Sequence, residues 1–369
     1  MNRTKNKNPE PGTGNQEPQR ILLVRLRLLG DVVFTTPVIR ALRRRFPEAH
    51  LSYLVEPAAA AVVRGNPHLN EVIVAPKRPG FARWIDDVAL ARRLRRERYD
   101  LVIDMHGGPR AAWLAWATRA PMRIGYRIKG RTWMYTHALA RADDLLPRHS
   151  VVNQWDLLAP LGIGPPDPSR DAIEIVEDAA AVPRVEAKLR AAGIGSEHVI
   201  IVIHVSAGNP FRRWPADAFA TLAVRLAAAD ERRRVVITSG PSEAEAASRI
   251  VSAARKRLGP QGYRVSDPDL DVPELHALTG RAAVYIGGDS GPLHVASGTT
   301  TPIVALFGPT LPERSMPWRD PRWFAEAVDV GPLPCRPCRQ RVCVTADFRC
   351  LEGITPDQVV DAAERALGR

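Results

Sequence analysis

From residue 20 to the C-terminus, short apolar runs of strand length alternate with longer segments of helical period, and no other feature limits the fold as much. RILLVRL (20–26), HLSYLVEP (50–57), EVIVAP (71–76) and DLVIDMHG (100–107) read as strands. Between them, DVVFTTPVIRALRRRF (31–46) reads as a helix that Pro37 bends or interrupts, and FARWIDDVALARRLRRERY (81–99) carries helical periodicity. Strands that are apolar throughout rather than alternating are those buried on both faces, so the pattern predicts a mainly parallel sheet covered by helices on both sides. The pattern loosens at LGIGPPDPSRD (161–171), a Gly/Pro-rich stretch suited to a boundary, and a second series follows. There HVIIVIHV (198–205), RRVVITSG (233–240), AVYIGGDS (283–290) and TPIVALFGP (301–309) are the strands, with helices at 216–230, 242–259 and 355–368. Thr355 is placed as the N-cap of the last helix, with Pro356 at its first position. The reading is therefore α/β, two doubly wound units: a polar leader over 1–19 that is expected to be disordered, a first domain over 20–170 and a second over 171–369.

At 369 residues two domains are the natural expectation. No apolar run is long enough to span a bilayer, and the first 20 residues have no apolar core of the signal-peptide kind. A cytoplasmic protein is expected. The net charge of +12 is unevenly divided: residues 1–170 hold 28 Lys/Arg against 15 Asp/Glu, and residues 171–369 hold 24 against 25. A basic first half facing a neutral second half points to an anionic partner, or simply to solvated arginine-rich helix faces. Nucleic acid is not favoured, because no recognisable binding motif accompanies the charge.

Three segments carry candidate chemistry. In VRLRLLGDVVFTTP (24–37), Gly30 permits a tight turn and Asp31 opens a helix. Asp31 is either a first-turn acid favoured by the helix dipole or a general base at a cleft edge. A G-x-G-x-x-G pattern is missing, so a dinucleotide cradle is not expected. In HVSAGNPFRRWPADAF (204–219), a small-residue loop precedes Arg212 and Arg213 at a helix entry, a combination suited to phosphate or to an ordinary surface turn. In GGDSGPLHVASGTTTPIVALFGPT (287–310), Asp289, Ser290, Gly291 and His294 crowd one strand-to-helix turn. Small residues there admit a ligand close to the backbone, and Asp289 suits sugar hydroxyls. The alternative is a capped turn with a core histidine.

These segments, with the tail PCRPCRQRVC…CLEGITPDQVVDA, resemble glycosyltransferase family 9, the ADP-heptose:lipopolysaccharide heptosyltransferases, over about residues 20–367. The resemblance implies a GT-B architecture and inverting, metal-independent transfer of heptose from ADP-heptose to the lipopolysaccharide inner core, with no cofactor. It also implies roles. Asp31 resembles the general base, with Gly30 and Arg127 on the acceptor side. Arg212, where the family usually has lysine, resembles the donor-phosphate contact, with Arg213 beside it. Ser290, Gly291 and His294 resemble the diphosphate grip, Asp289 the heptose contact and Glu243 a ribose contact. The partners implied are the nucleotide-sugar and an anionic core acceptor. Arg92, Arg93, Arg95, Arg96, Arg123, Arg127, Lys129 and Arg131 would then draw the protein to the cytoplasmic face of the inner membrane. The alternatives are a transferase for another nucleotide-sugar and a binding protein without catalysis. The four cysteines, Cys335, Cys338, Cys343 and Cys350, follow C-x2-C-x4-C-x6-C and leave a structural metal, oxidisable or paired thiols, and packing thiols all open.

Overall fold

The computed structural model describes residues 17–142, 146–205, 210–338 and 342–369. Most of the 1–19 leader lies outside the described residues, as do residues 206–209 of the loop before Arg212.

The first sheet is built from β1 (Arg20–Val24), β2 (His50–Val55), β3 (Glu71–Val74), β4 (Leu101–Asp104), β5 (Met122–Tyr126) and β6 (His137–Leu139). Its order is β3-β2-β1-β4-β5-β6, and every pairing is parallel. Its helices are α1 (Leu29–Val33), α2 (Thr36–Arg45), α3 (Gly80–Arg96), α4 (Pro109–Ala117) and α5 (Ser150–Trp155). The helix expected over 31–46 is thus two helices, and Pro37 sits in the first turn of α2, where its missing N–H costs nothing. Residues Ile21 to Val24 are fully buried, which is why the run is apolar without alternation.

The second sheet holds β7 (Val199–His204), β8 (Arg233–Thr238), β9 (Val265–Ser266), β10 (Val284–Gly288), β11 (Ile303–Leu306) and β12 (Ala325–Val328), in the order β12-β11-β10-β7-β8-β9. Its helices are α6 (Ala181–Ala191), α7 (Ala216–Ala228), α8 (Ala244–Leu258), α9 (Val272–Thr279), α10 (Gly291–Ala296), α11 (Pro312–Ser315), α12 (Arg349–Glu352) and α13 (Pro356–Leu367). Thr355 caps α13 as expected, its hydroxyl accepting from the Gln358 N–H at 3.3 Å. Counted within its own domain, each sheet repeats the order 3-2-1-4-5-6, so each reverses direction between its first and fourth strands. Ligands in such sheets bind beyond the carboxyl ends of the strands at that reversal. In the first domain this places the site after β1 and β4, and in the second after β7 and β10.

The two domains press together along α1 and α10. A Cβ on Gly30 would stand 2.6 Å from the His294 ring, and one on Gly291 would stand 3.1 Å from the Leu29 side chain. A methyl at Gly30 would force a shift, whereas one at Gly291 would need Leu29 to yield by only a few tenths of an ångström. Val295 of α10 is buried in the same apolar cluster as Phe34 and Trp155, so the first domain's core continues into the second.

Candidate active site

The strand registers decide which loops meet. Val24 lies opposite both Leu54 and Asp104, so the turns carrying Asp31 and His106 leave the first sheet at one edge. Gly287 pairs with His204 and Gly288 with Leu306, which brings Asp289 beside the segment before Thr310. Across the seam these turns wall one cavity of about 480 Å³, a size suited to a ligand larger than a single sugar. Gly30, Asp31, Arg212, Asp289, Ser290, Gly291 and His294 all line it. The structure thus gathers seven of the sequence candidates, from three separate segments and both domains.

Asp31 is the third residue of α1 and is over one-third exposed to the cavity. Its carboxylate accepts from the Leu28 N–H at 3.3 Å and from the Arg25 guanidinium at 2.5 Å. Arg25 is almost fully buried, and its other face donates to the Met105 carbonyl. A buried, rigid guanidinium thus holds the exposed carboxylate at the cavity wall. Nearby, His106 meets the Arg27 carbonyl at 3.1 Å, and burial followed by the Arg25 charge pushes its imidazole down to about 4.

On the opposite wall, Asp289 accepts from the Thr310 hydroxyl at 2.6 Å and meets Arg212 and His294 at 3.5 Å each. Burial alone would raise its carboxyl. The His294 contact and charge, Arg212 and the Thr310 hydroxyl outweigh that and bring it down to about 2. The group is a fixed anion with positive charge beside it. Phe34 of the first domain packs against His294 with ring centroids 4.2 Å apart and planes tilted by 47°, so His294 of the second domain makes contact across the seam. Ser290 occupies the N-cap position of α10, but its buried hydroxyl caps nothing and has no partner among the described residues.

Three candidates lie elsewhere. Arg213 donates to Glu243 at 2.5 Å, and Glu243 also accepts from the Ser242 hydroxyl, so these two sit together off the cavity walls. Arg127 follows β5 at the same sheet edge, exposed, with its guanidinium 3.4 Å from the Ala138 carbonyl. The sequence reading did not single out Arg141 and Arg314, which stand in the cavity walls, or Arg25, which lies buried behind Asp31 and does not line the cavity. Arg25 had a usable signal, a charged residue placed directly on the end of an all-apolar strand. Arg141 and Arg314 had none, being two arginines among many. All four cysteines are free thiols lining one small cavity with Phe211 and Pro309, and Cys338 also reaches the main cavity. Among the described residues no group of three His, Cys, Asp or Glu is placed to hold a metal ion.

The model of glycosyltransferase family 9 (heptosyltransferase) matches residues 88–348. Lipopolysaccharide heptosyltransferase 3 of Escherichia coli K12 is 30% identical, over 93% of this chain and 96% of that one. Lipopolysaccharide heptosyltransferase 2 of Salmonella typhimurium is 24% identical, over 81% and 85%. Among solved structures, a family 9 glycosyl transferase from Veillonella parvula superposes with a TM-score of 0.76 at 24% identity, covering 95% of this chain and 97% of that one. The ADP-heptose lipopolysaccharide heptosyltransferase II of E. coli does so at 0.73 and 20%, covering 94% and 98%. The two-domain parallel architecture is accordingly that of the GT-B heptosyltransferases. By the extent of the family match and the length of chain shared with a 30% identical relative, this chain belongs to glycosyltransferase family 9, the heptosyltransferases.

Proposed function

We propose that the protein transfers heptose from ADP-heptose to the inner core of lipopolysaccharide, inverting the anomeric centre without a metal ion. The observation that carries this reading is a single cavity with an exposed carboxylate on one wall and an Arg–Asp–His cluster on the other, each wall from a different domain. In-line displacement needs that separation: a base on the acceptor side and positive charge on the leaving-group side. Asp31 takes the proton of the acceptor hydroxyl, whose oxygen attacks the anomeric carbon. The bond from that carbon to the β-phosphate oxygen breaks, and ADP leaves with the electron pair. Arg212, the Ser290 and Gly291 N–H groups and His294 hold the diphosphate, and Asp289 holds the heptose hydroxyls. Glu243, with Arg213 paired to it, serves the ribose. Gly30 and Arg127 belong to the acceptor side.

In this reading residues 20–170 bind the acceptor and 171–369 the donor, and the protein works on the cytoplasmic face of the inner membrane. Among the described residues no helix is long and apolar enough to cross a membrane. The names of the relatives support the acceptor class, and one solved structure of similar fold holds ADP-2-deoxy-2-fluoro heptose.

The test is ADP release from ADP-heptose in EDTA, offered either Kdo-lipid A or a core already carrying heptose, for wild type and Asp31→Ala. Turnover that falls on the order of a hundredfold or more in the variant supports the transfer and its base together. Full activity in Asp31→Ala removes the base. Donor binding without turnover on any core acceptor would leave a nucleotide-sugar-binding protein.

A further inference from the structure

α3 carries apolar side chains on two faces, and only one of them is covered. Advancing roughly 100° per residue, Leu90, Ala91 and Leu94 point into the first domain's core, where all three are buried. Phe81, Trp84 and Ile85 are centred roughly 125° round the helix from these and are 76%, 64% and 52% exposed, with the Phe81 and Trp84 rings stacked at 6.3 Å. Nothing in the fold requires three large apolar side chains in water within five residues. The same outward arc continues at its C-terminal end into Arg92, Arg95 and Arg96, all exposed and none ion-paired among the described residues. Other nearby cations are neutralised: Arg78 pairs with Asp86, and Arg93 with Glu71. From Lys77 to Arg98 the chain holds 8 Lys/Arg against 3 Asp/Glu.

We propose that the outward face of α3 is a membrane-docking surface that lies flat on an anionic bilayer, with Phe81, Trp84 and Ile85 in the headgroup–acyl boundary and the arginines on lipid phosphates. A helix that enters an interface needs apolar and aromatic side chains for depth together with unpaired cations for the anionic surface, and this face has both. Charge selects the occupant: a surface with an excess of unpaired arginine fits an anionic lipid sheet better than a neutral apolar groove. Position agrees. α3 starts just after β3, at the carboxyl edge of the sheet that also carries Asp31, so docking there sets the cavity beside the bilayer. Of the cations expected from the sequence to meet the membrane, Arg93 and Arg123 are occupied within the protein, Arg123 by the Met134 carbonyl at 2.8 Å.

The bearing on turnover rests on the proposed lipid-linked acceptor, whereas the binding itself does not. The experiment sediments the full chain with vesicles of 30% phosphatidylglycerol in phosphatidylcholine, comparing wild type with Phe81→Ser/Trp84→Ser/Ile85→Ser. All three residues are exposed, and unchanged circular dichroism and melting establish the fold. Wild type should bind, and the triple variant should partition at least tenfold more weakly. Bromolipid should quench wild-type tryptophan fluorescence, and that quenching should fall in Trp84→Phe. Turnover of vesicle-embedded acceptor should fall with binding while turnover of a deacylated, water-soluble acceptor stays at the wild-type level. Wild type that does not bind, or a triple variant that binds as wild type does, overturns the proposal and assigns the face to a different partner. Binding lost as expected, with no turnover of either acceptor by wild type, overturns the activity reading instead and leaves the surface standing.

Discussion

Gly30→Ala tests whether the site depends on the two domains meeting at one fixed distance. Gly30 lies in α1 with ordinary helical backbone, so an alanine is not strained by its own dihedrals. The cost comes from space. The new methyl would stand 2.6 Å from the His294 ring, about an ångström inside ordinary contact. His294 has little room to yield: it is 4% exposed, packed against Phe34 and held near Asp289. Overpacking of this kind costs roughly 1–3 kcal/mol when the neighbours cannot move. The strain falls on the group proposed to grip the donor, so the donor dissociation constant should rise about tenfold or more, as 1.4 kcal/mol is a factor of ten. The assay is calorimetric titration with ADP alongside urea unfolding, for Gly30→Ala, His294→Ala and the double variant. Removing the ring should relieve the clash, giving a favourable coupling of at least 1 kcal/mol in the double-mutant cycle. Wild-type affinity and stability in Gly30→Ala, or strictly additive single effects, would refute the claim that this contact sets the distance between the walls.

Arg25→Met should lower kcat at least tenfold while leaving the donor KM near wild type, because the guanidinium touches Asp31 and not the donor wall; equal effects on both would place it elsewhere. Asp289→Asn should raise the donor KM. Since Asp289 is ionised down to about 2, the acid limb of the wild-type pH–rate profile should keep its position in the variant. His149 and His204 are held neutral, near about 4 and about 3, by burial. An unfolded histidine takes up protons below about 6.5, so each contributes stability above that pH that is lost as pH falls towards the folded value. Between pH 7 and pH 5 urea unfolding should lose about 2 kcal/mol for each. Cys343, drawn down by the Thr345 hydroxyl, should alkylate before Cys350, which burial and then neighbouring thiols push up; the reverse order in peptide mass spectrometry would contradict this.

The strands most legible in the sequence were the fully buried ones. β1, β2, β4, β7, β8 and β11 each have apolar residues buried on both faces of the sheet, with polar residues mainly at the strand ends, and Val205 and Phe307 carry buried apolar sequence past the ends of β7 and β11. β5, β6, β9 and β12 are not legible in the sequence, for physical reasons: β6 is three residues, HAL, at a sheet edge with none of them buried. MRIGY carries an arginine and a glycine, β9 has two residues, and β12 sits at a sheet edge with most of its side chains half exposed. An edge or short strand draws its identity from the neighbour it pairs with, and that neighbour is distant in the chain. Within the site, Asp31, Asp289 and His294 were recognisable because turns after buried strands rarely combine acid, glycine and histidine without reason. The Arg213–Glu243 pair was not foreseeable, since only the packed fold brings residues 30 positions apart to 2.5 Å.

Local pattern alone therefore determined that this chain makes two parallel α/β domains and which turns carry the candidate groups that line the cavity. Burial and backbone geometry act residue by residue and leave their mark in the order of side chains. The packed structure decided how those turns face one another: that Arg25 stands behind Asp31, that Gly30 must be small because His294 belongs to the other domain, and that α3 leaves an apolar face uncovered. Those are relations across a domain seam or a surface. They depend on where distant segments come to rest, and a linear sequence carries no periodicity that records it.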